Sequence, residues 1–233
     1  MCGIVGILAK NKIGFYQSQT SIFKEMLYAD QLRGSDGTGI FYHCNDKIHT
    51  LKSPIASSLF LHDPLVKKAI DSLSTNSLFA VGHNRSATIG KHNHENTHPH
   101  RSKHITLIHN GTLRSHKELA DVESDSLAIC KSIADIGEEN TIEKINGAFA
   151  LVWYNSDKKT INICRNTERP LYLLETGNCY VFASEPKMAE WIIERNKLNT
   201  TSKIVPFNAG ILYKYSLDSL KFEEIKVILK QPN

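Results

Sequence analysis

Between Ala148 and Ala183 the sequence reads as four short strands in succession, Ala148–Tyr154, Thr160–Cys164, Leu171–Leu174 and Tyr180–Ala183, with no helical pattern between them. A series of strands without intervening helices suits mostly antiparallel sheets. The rest of the chain groups similarly. The apolar run over residues 2–9, bounded by Lys10 and Gly14, is too short for a stable helix and reads as a buried strand with Cys2 at its tip. Gly39–His43 and Lys47–Leu51 form a hairpin pattern, Leu78–Val81 and His104–His109 read as strands, and Ile211–Tyr215 and Phe222–Ile228 close the chain. Helical spacing of Ile22, Phe23, Met26, Leu27 and Ala29 predicts a helix over Ser18–Leu32. Further helices are predicted within Ser53–Leu73, broken at Pro64, over Ser124–Asp135, and over Pro186–Arg195 with proline in the first turn. Helices in adjacent groups between runs of strands specify a layered α+β domain with mostly antiparallel sheets, not an alternating βαβ fold.

A chain of 233 residues with 41% hydrophobic and 22% charged residues can bury a conventional core, and residues 1–233 are expected to form a single domain. The formal charge of +4 is mild and its cations are scattered among acids, which gives no nucleic-acid signature. Five cysteines, at positions 2, 44, 130, 164 and 179, form an odd set without a C-x-x-C pair. That argues against a disulfide framework and against structural zinc, and fits a reducing compartment. The apolar stretch Ile4–Ala9 is too short for a secretory signal and no run approaches bilayer length, so a cytoplasmic protein without membrane association is expected.

Cys2 carries the first chemical signal. Removal of Met1 would make it the N-terminus, and an α-amine titrating near pH 7.7–8.0 then sits beside the thiol as its own general base. Taken alone, Cys2 reads more readily as a small apolar residue opening a buried strand. Three further features bear on it. Gly82-His83-Asn84-Arg85 follows a strand, and an arginine there presents a planar fork to a carboxylate. His109-Asn110-Gly111 also follows a strand, where an asparagine amide and the next N–H can point at one developing oxyanion, although Asn-Gly is also a turn dipeptide. Asp125 could accept a hydrogen bond from an ammonium group, or serve only as a helix N-terminal acid. Three glycines within Arg33-Gly34-Ser35-Asp36-Gly37-Thr38-Gly39 mark a tight turn or a close backbone approach, and Arg33 and Asp36 could pair there. Residues 89–103 lack periodicity and hold His92, His94, His98 and His100, so a mobile loop is expected. The spacing of these histidines matches no ligand motif, and no metal is expected. Cys44, Cys130, Cys164 and Cys179 lie in or beside apolar elements and read as inert core residues.

Taken in order, Cys2-Gly3-Ile4-Val5-Gly6, the Arg33–Gly39 turn, Gly82–Gly90, Thr97-His98-Pro99-His100 with His104–Leu113, and Ser124-Asp125 resemble the glutaminase domain of class II glutamine amidotransferases. That group belongs to the N-terminal nucleophile (Ntn) hydrolases, and the resemblance is greatest to glucosamine-6-phosphate synthase. It covers residues 1 to about 215. It implies a four-layer αββα sandwich, hydrolysis of L-glutamine through a thioester on Cys2, and no cofactor. It also implies an oxyanion hole from Asn110 and the Gly111 N–H, a carboxylate site at Arg85 and Thr88, an α-amino site at Asp125, and a support turn at Arg33 and Gly34.

Two departures qualify the expectation. Ser86 stands where the sugar-aminating enzymes carry a tryptophan, which bears on ammonia channelling. The chain is also of single-glutaminase size, so the ammonia acceptor is expected to be an enzyme on another chain. A self-contained γ-glutamyl amidohydrolase and a catalytically quiet glutamine-binding module are the alternatives.

Overall fold

The computed structural model describes residues 1–74 and 76–230. Its elements in chain order are β1 (Gly3–Ala9), α1 (Gln17–Ala29), β2 (Gly37–Cys44), β3 (Lys47–Ser53), α2 (Ser57–Phe60), α3 (Pro64–Asp71), β4 (Phe79–Arg85), β5 (His100–Ser102) and β6 (Ile105–Leu113). They continue with α4 (Asp125–Ile136), α5 (Glu138–Lys144), β7 (Gly147–Asn155), β8 (Thr160–Arg165), β9 (Tyr172–Glu175), β10 (Cys179–Ala183), α6 (Pro186–Arg195), β11 (Val205–Pro206), β12 (Ile211–Ser216) and β13 (Phe222–Lys226). The strands form one sheet ordered β11-β9-β10-β1-β4-β2-β3 and another ordered β13-β12-β8-β7-β6-β5. Every neighbouring pair among the described residues is antiparallel.

Alternation along the strands divides the core. On the second sheet Leu107, Leu151 and Trp153 pack with Ile129, Ile133 and Ile142 of α4 and α5. Their neighbours Ile108, Val152 and Tyr154 turn the other way and join the first sheet's apolar residues, where Phe79 meets Tyr154 at a ring separation of 5.3 Å. The other face of the first sheet is covered by α1, whose Phe23 and Leu27 lie beside Gly82 of β4. Helix, sheet, sheet and helix therefore stack as the expected αββα sandwich.

Three elements escape the hydropathy pattern, the two-residue β11 among them. Helix α5 has a buried apolar residue in Ile142 but also buries Glu138, whose carboxylate meets Lys158 at 2.9 Å and Lys214 at 3.2 Å. Burial alone would raise the Glu138 carboxyl, yet these two lysines hold it below the usual range. Strand β5 is three residues long and borders β6. The predicted strand ends at Val81 and His109 are also corrected: both strands continue, β4 to Arg85 and β6 to Leu113. Their polar ends remain in the ladders, with Asn84 opposite Gly3 and Asn110 opposite Ala150. No helix among the described residues is long and apolar enough to cross a membrane.

Candidate active site

Central strands of both sheets bring the sequence-selected residues to one place. Gly3 opens β1 opposite Asn84, and Arg85 ends β4 opposite Gly37. Cys2, Arg85 and Thr88 from this side share a cavity with Gly111 and Asp125 from the second sheet and its helix. The cavity volume is about 20 Å³, room for roughly one water. Asn110 adjoins this cavity in sequence. His109 turns toward α4, its Nδ1 lying 3.0 Å from Ser126 Oγ, so strand alternation turns Asn110 toward the first sheet. The Asn110 side chain is 1% exposed and its Nδ2 has no hydrogen-bond partner.

The Cys2 thiol donates to the Ser86 carbonyl at 3.4 Å, and its sulfur accepts from the Ser86 N–H at 3.3 Å. Burial raises the thiol above its ordinary range, with the Ser86 N–H, the positive chain terminus and Arg85 pulling the other way. A thiol in this setting needs a local base to become a nucleophile. Met1 is 68% exposed, and while it is attached the Cys2 nitrogen is an amide.

The turn behind Cys2 is built on Arg33. Its Nε donates to the Cys2 carbonyl at 3.0 Å and its Nη1 to Glu185 at 3.3 Å. The expected Arg33–Asp36 pairing is therefore corrected: Asp36 instead accepts from the Ala87 N–H at 2.8 Å. Gly34 permits close backbone contact, since a Cβ there would lie 2.4 Å from the Arg85 carbonyl carbon and 2.5 Å from the Ser86 nitrogen. Gly34→Ala should consequently displace the Arg85–Ser86 backbone. A stability loss of about 1–3 kcal/mol is expected in denaturant titration, accompanied by lower activity.

Arg85 is buried, and its guanidinium donates to the carbonyls of Ile89 at 2.9 Å and Lys91 at 3.0 Å. Thr88 is exposed, with its hydroxyl 3.4 Å from that of Thr112. Asp125 opens α4 after Ser124, whose hydroxyl caps the Leu127 N–H at 3.4 Å. One Asp125 oxygen accepts from the Leu113 N–H at 3.0 Å and the other from the Ser126 N–H at 2.8 Å. A carboxylate has about four acceptor sites, and Ser126 Oγ takes a third at 3.3 Å, which leaves capacity for one more donor.

The stretch expected as a loop through residue 103 divides in two. Residues 91–95 are largely exposed, whereas Asn96 through His100 are buried and held to β3 by Lys52 Nζ, which donates to Thr97 O at 2.8 Å and Pro99 O at 3.3 Å. His98 lies 3.9 Å from the His83 ring and 4.7 Å from the His100 ring. Burial drives His83 and His100 down to about 3 and His98 well below its ordinary value, so all three are neutral at pH 7. His83 Nε2 donates across the sandwich to the His109 carbonyl at 3.0 Å. Sequence reasoning missed His98 and His109 as cavity-lining residues and His83 as the link between the sheets, although each stands inside a motif already singled out. Among the described residues, no group of three or more His, Cys, Asp or Glu side chains is placed to hold a metal. Cys44, Cys130, Cys164 and Cys179 are buried, and burial pushes Cys130 and Cys164 up to about 12 and Cys179 to about 11.

Residues 83–190 match the family model described as a glutamine amidotransferase domain. Over 208 residues the chain is 28% identical to glutamine–fructose-6-phosphate aminotransferase [isomerizing] of Staphylococcus aureus (strain Mu50), covering 79% of this chain and 32% of that protein. Residues 83–190 thus match a glutamine amidotransferase domain. The Staphylococcus epidermidis (strain RP62A) aminotransferase of the same name is 29% identical over 189 residues, or 71% of this chain and 29% of the relative. The chain thus spans about a third of the length of these curated relatives. In fold, the amidotransferase domain is similar to glutamine phosphoribosylpyrophosphate amidotransferase from B. subtilis, with a TM-score of 0.72 at 19% identity over 98% of this chain and 50% of that one. It is also similar to a glutamine aminotransferase class-II domain protein from Silicibacter pomeroyi, with a TM-score of 0.59 at 9% identity over 97% and 99% of the two chains.

Proposed function

We propose that this amidotransferase domain hydrolyses L-glutamine to glutamate and ammonia through a Cys2 thioester and passes the ammonia to an acceptor enzyme on another chain. The observation that carries this reading is the one cavity that Cys2 shares with Arg85, Thr88, Asp125 and Gly111, the residue after Asn110 on β6. With Met1 removed, the Cys2 amine takes the thiol proton and the sulfur attacks the side-chain amide carbon of glutamine. Negative charge gathers on the amide oxygen, where Asn110 Nδ2 and the Gly111 N–H are the donors. Collapse breaks the C–N bond, and the ammonium of Cys2 gives its proton to the leaving ammonia. Water then attacks the thioester, with the same amine as base, and frees glutamate.

Arg85 and Thr88 hold the α-carboxylate of glutamine, and Asp125 takes its α-ammonium with the remaining acceptor site. A cavity of about 20 Å³ does not admit glutamine, so entry requires residues 86–95 to move. In that motion Arg85 exchanges the Ile89 and Lys91 carbonyls for the substrate carboxylate. Arg33 and Gly34 support the nucleophile from behind. The small Ser86 stands beside the Cys2 thiol in place of a bulkier gating residue, which supports release of ammonia toward a partner. No metal or cofactor enters this scheme, and five free cysteines fit a reducing, cytoplasmic setting.

Asp125→Ala should raise KM for glutamine by roughly 10- to 150-fold, the equivalent of a lost hydrogen bond to a charged group, with a smaller change in kcat. Steady-state kinetics on the folded variant check this. The reading itself is tested by confirming Met1 removal by intact mass and then assaying ammonia and glutamate release from glutamine and from other γ-glutamyl amides. Turnover of glutamine supports it. Preference for another γ-glutamyl amide points to the self-contained amidohydrolase, and binding without turnover to the regulatory module.

A further inference from the structure

Asp30 follows the last residue of α1 and is 1% exposed. One carboxyl oxygen, Oδ2, accepts from Asn84 Nδ2 at 3.1 Å, while Oδ1 has no partner. The group rests against the backbone next to the nucleophile: a Cβ on Gly3 would lie 1.8 Å from Asp30 Oδ2. Gly3 offers its helix-side face to this carboxyl, and alternation sends the Cys2 side chain to the opposite face of β1. The same turn carries Arg33, whose backbone N–H donates to the Asp30 carbonyl at 2.9 Å. Arg33 already holds the Cys2 carbonyl through Nε, yet its Nη2 is buried and also without a partner. An unmet carboxyl oxygen and an unmet guanidinium nitrogen, both buried and not paired with each other, thus belong to one turn beside the nucleophile, each costly to leave alone.

We propose that Asp30 is a positioning residue for Cys2: its ionised carboxyl draws Arg33 Nη2 to Oδ1 and so fixes the Nε hydrogen bond that holds the Cys2 carbonyl. The proposal rests on the reading of Cys2 as nucleophile. Protonation releases Arg33 toward Glu185, its other acidic partner. The charged groups that act on Asp30 are Arg33 and Glu185, while β1 and β4 present Gly3 and Asn84, which do not titrate. Burial pushes Asp30 up to about 7, with the Asn84 hydrogen bond and Arg33 pulling down and Glu185 pushing up. The positioning form therefore prevails above neutrality and is lost as the pH falls below it.

Two groups must then lose a proton before the free enzyme is active, Asp30 and the Cys2 amine. In the matured protein, log kcat/KM should rise with a slope of about two at acid pH, and with a slope of about one in Asp30→Asn. The variant should also lose roughly 10- to 100-fold in kcat, the scale of a nucleophile misplaced by about an ångström, while KM for glutamine stays within about twofold. A slope of one in the unaltered protein, or unaltered slope and kcat in Asp30→Asn, overturns the proposal. A second measurement does not depend on turnover or on the folding of that variant. In Cys2→Ala, carbon and nitrogen NMR should show the Asp30 carboxyl, the residue 2 carbonyl and Arg33 Nε titrating together with one midpoint near 7, the value to which Asp30 is raised. A midpoint for Asp30 below pH 5, or no response at the other two nuclei, also overturns it. Absence of glutamine turnover in the unaltered matured protein would count against the glutaminase reading and leave the NMR outcome to decide the role of Asp30.

Discussion

Cys2→Ala is expected to abolish glutamine hydrolysis, with kcat falling on the order of 10⁶-fold, as for loss of a catalytic nucleophile elsewhere. The fold should survive, because the thiol's hydrogen bonds reach only the Ser86 backbone and the residue is half-buried just before the start of β1. Retention of Met1 should be nearly as damaging, since the peptide nitrogen it leaves at Cys2 cannot accept a proton. Cys44→Ala is the matched control: Cys44 pairs with Lys47 at the far end of β2, whereas Gly37 at the near end pairs with Arg85. Ammonia release by proteins of verified intact mass checks all three. Hydrolysis persisting in Cys2→Ala would remove the basis of the proposed mechanism.

Asn110→Ala is expected to lower kcat by about 100- to 1000-fold, or roughly 2.7–4 kcal/mol, with KM changed far less. The structure adds an expectation about stability. Asn110 Nδ2 is buried with no partner, so truncation removes an unmet donor rather than a folding contact. Thermal or denaturant unfolding should therefore show a variant at least as stable as the parent, although catalytically poor. A large fall in stability alongside the fall in kcat would mean that the amide is spent on the fold.

The legible parts of this chain were those where hydropathy and backbone chemistry agree. Pro186–Arg195 emerges with its predicted bounds because a proline can open a helix and the following apolar spacing is regular. The strand ends at Gly82–Arg85 and Asn110–Leu113 were read short because their residues turn polar while the ladder continues, and hydropathy does not register a histidine or asparagine that is buried there. Helix α5 was hidden for a related reason: what buries Glu138 is lysine from a hairpin turn and from β12, partners far away in sequence. The same holds for Asn96–His100, whose burial depends on Lys52. Of the candidate site, Cys2, Arg85, Thr88, Gly111 and Asp125 do meet at one cavity. What sequence could not supply is that the Arg85 fork is already occupied by carbonyls of its own loop.

The sandwich divides the proposed chemistry between two leaves. Cys2 belongs to one and Asn110 to the other, and between the leaves lies the layer in which Phe79 meets Tyr154 and His83 reaches the His109 carbonyl. The core therefore acts as the calliper of the reaction. Interiors are close-packed and transmit small volume changes as displacement, so a methylene gained or lost between the leaves changes the span over which the bond-making sulfur and the hydrogen-bond-donating amide must cooperate. Mutational tolerance in that layer should accordingly be set by turnover at substitutions mild enough to leave both leaves folded.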